Sequence, residues 1–233
     1  MKDRVNQILR TVLKQERANL LEPEAKRICN AYGIPTPRFK VVRSSTEAVK
    51  AARTVGFPVV LKIVSPDILH KTDAGCVVLG LNSACQVRDA FARITRNIKR
   101  ARPNAEIHGV LIERMQPEGV EVIVGGTRDP QFGPAVMFGL GGILVELFED
   151  FSFRLAPVEE GTARQMIREI QGYRVLKGFR GRGAVDEYGL VKILLAVSRL
   201  IVDHPEIAEM DLNPTIVHEH GAVVVDARMS LKT

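Results

Sequence analysis

The residues best suited to chemistry surround one apolar segment in the first half of the chain. The run Val59–Val64 contains a single charged residue, Lys62, and short apolar runs of this kind are typical of strands buried on both faces. Because an unpaired ammonium is costly to bury, Lys62 needs an anionic partner, either a bound phosphate or a carboxylate of the protein. The polar loop that follows, Ser65–Gly75, contains His70 and so brings a titratable imidazole near that cation.

A second group of candidate residues lies in the C-terminal segment. Residues 207–217 and 222–228 predict a β-hairpin whose tight connection contains Gly221. If the four residues between the strands form the loop, Val217 lies opposite Ala222, and this sets the register of the whole hairpin.

This register brings four polar side chains onto one face of the hairpin. Asn213 lies opposite Asp226, and Asp211 lies opposite Arg228. Directly paired residues have Cβ atoms about 4.5–5.5 Å apart. Carboxylate and amide oxygens beside an arginine predict a site for Mg²⁺ that also binds phosphate oxygens.

Two further acids flank a break between strands. The segments Ile107–Met115 and Val120–Val124 are separated by a Pro/Gly step, which predicts a hinge between two lobes. Glu113 and Glu121 stand on either side of it. From composition alone, each is as well suited to a surface salt bridge as to ligand binding. Farther along, Gly139–Gly142 permits either a close approach of backbone amides to a ligand or a plain glycine turn.

The remaining periodicity predicts alternating helices and strands, and therefore the α/β class. The predicted helices are 3–18, one starting at Glu22, one capped by Ser45, 84–100 with Asn82 or Ser83 as cap, 159–170 and one capped by Asp186. The other predicted strands are 39–42, 76–81, 132–138 and 153–157.

Composition narrows the classes of ligand and compartment. The 233 residues carry a net charge of +6, which suits polyphosphate ligands or nucleic acid. Aromatic residues are only 5% of the chain, which argues against nucleic acid because stacking side chains are scarce. Three cysteines without a Cys-X-X-Cys spacing predict reduced thiols and a cytoplasmic protein. No signal peptide and no membrane-spanning run is predicted.

The motifs together resemble the ATP-grasp fold, and more closely the nucleotide-binding β subunit of ADP-forming acyl-CoA synthetases. Acetyl-CoA synthetase (ADP-forming) is the best-known type, and succinyl-CoA synthetase is a relative. The resemblance extends from about Leu21 to Leu231 and is carried by LKIVSPDILHKTDAG, VLIERMQPEGVEVIVG, FGLGG, EMDLNP and VVDAR. One departure is Cys76, where the family usually has a second glycine.

The resemblance implies an organisation for the whole chain. It consists of an N-terminal helical arm (1–20), an N-terminal lobe (21–116) and a C-terminal lobe (117–233), with the nucleotide in the cleft between the two lobes.

The resemblance also implies a role for each candidate residue. Lys62 binds nucleotide phosphates, the backbone around Glu113 and Met115 meets adenine, and Glu121 takes the ribose hydroxyls. His70 relays a phosphoryl group. In the C-terminal lobe, Asn213 and Asp226 hold Mg²⁺ with Asp211 adjacent. Arg228 and Arg154 neutralise the phosphate charge.

The implied activity is phosphoryl transfer between phosphohistidine and ADP or ATP with Mg²⁺, so that acyl-CoA, ADP and phosphate give carboxylate, ATP and CoA. The CoA and acyl sites belong to an α subunit, in a hetero-oligomer of the α2β2 kind. Another ATP-grasp carboxylate ligase and a non-catalytic nucleotide-sensing subunit are the alternatives. The sequence leaves open the acyl group, the preference between adenine and guanine nucleotides and the stoichiometry.

Overall fold

The computed structural model describes residues 2–68, 75–142, 150–178 and 183–232, and these contain helices and strands in mixed order. The helices are α1 (Lys2–Lys14), α2 (Glu22–Ala31), α3 (Ser45–Val55), α4 (Ala84–Ala101), α5 (Glu160–Glu169), α6 (Tyr173–Leu176) and α7 (Glu187–Asp203). The strands are β1 (Phe39–Val42), β2 (Val59–Val64), β3 (Val77–Leu81), β4 (Gly109–Arg114), β5 (Val120–Asp129), β6 (Gly133–Leu140), β7 (Phe151–Leu155), β8 (Ile207–Val217), β9 (Ala222–Val224) and β10 (Arg228–Leu231). No helix in the described ranges is long and apolar enough to cross a membrane.

The chain divides into two compact units. The small unit is Pro37–Pro117, and the large unit combines Met1–Thr36 with Glu118–Thr233. The N-terminal segment up to Thr36 therefore packs with the C-terminal part of the chain. The division of the sequence into 1–20, 21–116 and 117–233 stays a prediction about the functional lobes.

Four antiparallel strands form the sheet of the small unit, in the order β1-β4-β2-β3. Strand β2 is buried at every position, as its apolar run predicted. Val59, Leu61 and Ile63 share one hydrophobic core with buried residues of α3 and α4. Because side chains alternate along a strand, Lys62 lies on the opposite face of this sheet.

The two helices of the small unit begin at serine caps. The Ser44 hydroxyl accepts the Glu47 amide at 3.2 Å, so Ser44 is the N-cap of α3 and the prediction of Ser45 was wrong by one residue. Of the two residues predicted for α4, Ser83 is the cap, and it accepts the Gln86 amide at 3.3 Å. Each hydroxyl satisfies an N–H group that has no partner inside the helix.

The sheet of the large unit has the order β10-β8-β5-β6-β7, and β9 pairs with β8. One face packs against buried residues of α1, α2, α5 and α7 in a single core. The apolar stripe predicted for the helix after Asp186 is confirmed, since Leu190, Leu194 and Val197 are fully buried. Strand β5 extends five residues beyond the predicted end and turns into β6 where the Asp129 carboxylate accepts the amides of Gln131 and Phe132.

The predicted register of the C-terminal hairpin is confirmed at both ends. Val217 pairs with Ala222, and Asp211 pairs with Arg228. The second strand, however, is not continuous, because residues 225–227 separate β9 from β10. The interruption faces Pro214, which has no amide to donate to the ladder, although its carbonyl still accepts the Val225 amide at 2.9 Å.

A buried polar cluster joins the N-terminal helices to the end of α7. The Tyr32 hydroxyl donates to the Asp203 carboxylate at 2.9 Å and lies 2.8 Å from Nε2 of His204. Lys2 forms a salt bridge with the same carboxylate. His204 is 1% exposed, and this burial lowers the pKa of its imidazole. The negative charges of Glu206 and Asp203 raise that pKa, and the cation of Lys2 lowers it further.

This cluster predicts an acid-sensitive contribution to stability. Because the pKa of His204 is lower in the folded state than its usual 6.5, the unfolded chain binds more protons as the pH falls through that value. The contribution is therefore complete above pH 6.5 and is lost below it. We expect His204→Gln to reduce the drop in melting temperature between pH 7.5 and pH 5.5, measured by circular dichroism. His220→Gln, at an exposed turn residue, should melt like the wild type at both pH values, and an unchanged drop in His204→Gln would contradict the assignment.

Candidate functional site

The small unit contains the anion that pairs with Lys62. Its ammonium lies 2.8 Å from Oε1 of Glu113, and the two side chains are 7% and 1% exposed. The anionic partner is therefore a carboxylate of the protein. The same contact places Glu113 in a buried ion pair, which excludes the surface salt bridge that composition alone suggested.

The residues predicted to meet adenine lie at the end of β4. Glu113 is directly opposite Phe39 on one neighbouring strand and Val60 on the other. One residue beyond β4, the amide of Met115 donates to the carbonyl of Pro58 at 2.9 Å, so the pairing with β2 continues past the strand. The backbone of this segment is thus held on a rigid sheet up to Met115.

Glu121 lies near the start of β5 in the large unit and is exposed. Its carbonyl accepts the amide of Gly141 at 2.7 Å. A Cβ at Gly141 would lie 2.9 Å from the carbonyl carbon of Glu121, closer than side chains approach, so only glycine fits there. The first part of the glycine segment therefore packs against Glu121 itself, and the segment 143–149 lies outside the described residues.

The structure places three of the polar residues of the C-terminal hairpin near one another, and the metal role implied for them stays a prediction. Asp211 and Arg228 are direct register partners on β8 and β10. Arg228 also lies 3.7 Å from the Asp226 carboxylate through its Nε. Asn213 is two residues beyond Asp211 on β8, where the pairing with β5 shifts register, and its predicted partner Asp226 lies in the interruption at residues 225–227. The structure therefore brings together two carboxylates and an arginine, with the amide on the same strand.

The charge around Asp211 favours a cation. Partial burial raises the pKa of its carboxyl above the usual range, Arg228 opposes this shift, and the negative charges of Asp226 and Glu209 add to it. A carboxylate that is desolvated among other carboxylates is stabilised by a bound cation. This donor set therefore fits Mg²⁺, which prefers oxygen ligands and shares them with phosphate.

No cluster of three or more His, Cys, Asp or Glu side chains that could hold a metal occurs in the described parts of the chain. The candidate set has two carboxylates and one amide, so a metal there would need phosphate oxygens or water to complete its shell. The remaining coordination would therefore come from groups outside the hairpin.

The structure does not bring Arg154 to this group. Arg154 is on β7, the edge strand at the opposite end of the sheet from β10. Its guanidinium makes two hydrogen bonds to the Glu169 carboxylate, at 2.8 and 2.5 Å. Its charge is therefore already matched on its own side of the large unit. His70 lies outside the described residues.

One neighbour of the hairpin site was not found from the sequence. Gly125 of β5 lies directly opposite Asp211 on one side and Met137 on the other. A Cβ at Gly125 would lie 3.1 Å from the terminal carbon of Met137, so the methionine lies flat over this glycine. A glycine inside a strand is the signal that marks such a close approach, but the β5–β8 pairing was needed to place it.

The two antiparallel sheets and the hairpin acids belong to a known class of domain. The family model described as an ATP-grasp domain matches residues 11–231. The chain is also 51% identical over 218 residues to the β subunit of acetate–CoA ligase [ADP-forming] I from Pyrococcus furiosus, covering 94% of each chain. It therefore belongs to the ATP-grasp family and, within it, to the group that contains the β subunits of ADP-forming acetate–CoA ligases.

Solved structures agree with this assignment. The dinucleotide-forming acetyl-coenzyme A synthetase 1 of Candidatus Korarchaeum cryptofilum, in complex with coenzyme A, Ca-AMPCP and HgCl⁺, matches with a TM-score of 0.95 and 50% identity over 97% of this chain and 99% of that one. The same enzyme with coenzyme A and Mg-AMPPCP, whose phosphohistidine segment points towards the nucleotide binding site, matches with a TM-score of 0.88 and 46% identity over 98% of this chain and 100% of that one. The predicted ATP-grasp fold is confirmed.

Proposed function

We propose that the chain is the nucleotide-binding β subunit of an ADP-forming acyl-CoA synthetase of the acetyl-CoA type. The overall reaction converts acyl-CoA, ADP and phosphate into carboxylate, ATP and CoA, and it is reversible. The observation that carries the proposal is the 51% identity to a ligase β subunit across 94% of both chains. The chain's share of the reaction is the transfer of a phosphoryl group between His70 and ADP.

The small unit contributes phosphate and base binding in this proposal. Lys62 is a buried cation on a rigid strand, and a charge-assisted hydrogen bond to a phosphate oxygen is among the stronger polar contacts. The backbone around Glu113 and Met115 meets the adenine. Because phosphoryl transfer depends on positioning and charge neutralisation, rigid placement of the cation contributes directly to the rate.

The large unit contributes the metal site and the ribose contact. Asp226 and Asn213 would hold Mg²⁺ with Asp211 adjacent, and the metal would neutralise phosphate charge during transfer. Arg228 orients the carboxylates and supplies a further cation, and Glu121 binds the ribose hydroxyls. Arg154 stays a candidate for binding phosphate only if it exchanges its Glu169 partner.

The partner in this proposal is an α subunit that supplies the CoA and acyl sites, in an α2β2-like hetero-oligomer in the cytoplasm. The test is to assay the purified chain alone and then with its co-expressed partner, using CoA, ATP, Mg²⁺ and a series of carboxylates. We expect the chain alone to bind ADP without forming acyl-CoA, and the complex to turn over. Full turnover by the chain alone would contradict the subunit role.

Lys62→Met is expected to weaken ADP binding about tenfold or more, because a hydrogen bond to a charged group is lost. Adenosine, which has no phosphate, should bind as it does to the wild type. Isothermal titration calorimetry with both ligands measures the difference, and Lys40→Met, at an exposed lysine of β1, is the matched control. An unchanged ADP affinity would contradict the phosphate role.

Removal of Lys62 also affects stability, because Glu113 would lose its cation in a site where it is 1% exposed. Breaking a buried pair costs about 3–5 kcal/mol. Lys62→Met should therefore also lower the melting temperature, and the binding assays belong well below it.

A further inference from the structure

We infer that Glu113 is a positioning residue that holds the ammonium of Lys62 in place for nucleotide phosphate. This inference rests on the proposed function, in which Lys62 contacts phosphate. It gives the side chain of Glu113 a role in addition to that of its backbone beside adenine.

The register of the sheet sets the direction in which Lys62 points. Val60 lies directly opposite Glu113, and Lys62 lies directly opposite Leu111. Lys62 and Glu113 are therefore diagonal neighbours on the same face, the one opposite α3 and α4. The 2.8 Å contact draws the lysine side chain along the strand towards the end of β4, next to Met115.

Burial makes this arrangement obligatory. Lys62 is 6% exposed and Glu113 is 1% exposed, so neither charge has enough water around it to be stable alone. The carboxylate offsets the desolvation of the ammonium and keeps it charged inside the protein. An ammonium has three N–H donors, so a bond to a carboxylate is compatible with another to a phosphate oxygen.

Positioning matters because lysine is otherwise a flexible residue. A free lysine side chain loses much of its rotamer entropy when it is immobilised. In this protein the ion pair holds the side chain before the ligand arrives, and preorganised groups contribute more affinity because that cost does not fall on binding. If Glu113 only neutralised the lysine, its carboxylate would instead compete with phosphate and weaken nucleotide binding.

A double-mutant cycle separates these roles. The full chain and its Lys62→Met, Glu113→Gln and Lys62→Met/Glu113→Gln variants are titrated calorimetrically with ADP and with adenosine in the presence of Mg²⁺. We expect Glu113→Gln alone to weaken ADP binding about tenfold. In the Lys62→Met background the same change should alter the ADP affinity less than about twofold, because Glu113 acts through Lys62. The affinity for adenosine should stay within about twofold throughout.

Two results would overturn the inference. One is an equal loss of ADP affinity from Glu113→Gln in both backgrounds, and the other is ADP binding by Glu113→Gln that equals or exceeds that of the wild type. Glu106→Gln, at an exposed acid of the same unit, is the control and should bind ADP like the wild type. A wild-type chain that does not bind ADP would count against the proposed function itself, whereas binding without coupling counts against the positioning role alone.

Glu113→Asp extends the test if Glu113→Gln does not fold. It keeps the charge but shortens the side chain by one methylene, which moves the carboxylate away from Lys62. We expect it to weaken ADP binding and leave adenosine binding unchanged. An equal loss for both ligands would show a general structural effect and contradict positioning.

Discussion

Replacement of His70 by alanine is expected to abolish the uptake of acid-labile phosphate from ATP by this chain. In the proposed step an imidazole nitrogen attacks the γ-phosphorus of ATP, the new N–P bond forms as the bond to the ADP oxygen breaks, and ADP leaves. The neutral imidazole is nucleophilic near pH 7 and can release the group again. Alanine has no atom to accept it, so the loss is complete.

The location of His70 supports its choice over other residues. In the sequence it lies between Gly75 and the strand that contains Lys62, and the residues around it are mostly polar. A phosphoryl group that must reach an acyl site on another subunit needs a carrier attached near the nucleotide. Phosphohistidine releases its phosphoryl group more readily than phosphoserine does, which favours histidine as that carrier. An alternative role, in which His70 only orients phosphate, predicts no covalent label.

The measurement is incubation of the chain with γ-labelled ATP and Mg²⁺, followed by acid lability and mapping of the label by mass spectrometry. His220→Ala, at an exposed turn residue, should label like the wild type. Label on a residue other than His70, or persistent acid-labile label in the His70→Ala variant, would rule out the relay.

Asp226→Ala should lower Mg²⁺-dependent phosphoryl transfer about a hundredfold or more, because a metal that neutralises phosphate charge contributes several kcal/mol to the transition state. Its effect on ADP binding without Mg²⁺ should be small. The structure supports this choice, since Asp226 lies 3.7 Å from Arg228, the direct partner of Asp211. Single-turnover labelling over a range of Mg²⁺ concentrations measures the change.

Asp89→Asn serves as the control for Asp226→Ala, because Asp89 is an exposed acid on α4. It should keep the wild-type rate and Mg²⁺ dependence. If Asp226→Ala transfers phosphate at the wild-type rate at ordinary Mg²⁺ concentrations, the hairpin is not the metal site, and Asp211 and Asn213 would lose their assigned role with it.

The hairpin shows how far local pattern alone can reach. Its register followed from a four-residue connection and a two-residue side-chain period, so the pairing of Asp211 with Arg228 could be counted from the sequence. The gap at residues 225–227 could also have been anticipated, since Pro214 cannot donate to the ladder. The cap of α3 was displaced by one residue because Ser44 and Ser45 are equally suitable in type.

Long-range contacts account for the features that the sequence pattern did not show. The phosphate role implied for Arg154 stays a prediction, whereas its ion pair with Glu169, fifteen residues away on a helix that packs beside β7, was not visible in the sequence. Gly125 reaches Asp211 only through the pairing of β5 with β8, and the two residues are 86 positions apart in the sequence. Neither contact has a local signal, since each depends on how the sheet of the large unit is assembled.

The sequence by itself determined the alternation of helices and strands, the burial of the Lys62 strand and the set of polar residues on the hairpin, because each follows from side-chain period and turn chemistry. It also required an anion for Lys62, since a lone ammonium is unstable in an apolar strand. Only the tertiary structure decided which anion that is. Glu113 is on a strand that becomes a neighbour of β2 when the sheet forms, and that pairing converts two separate charges into one buried pair.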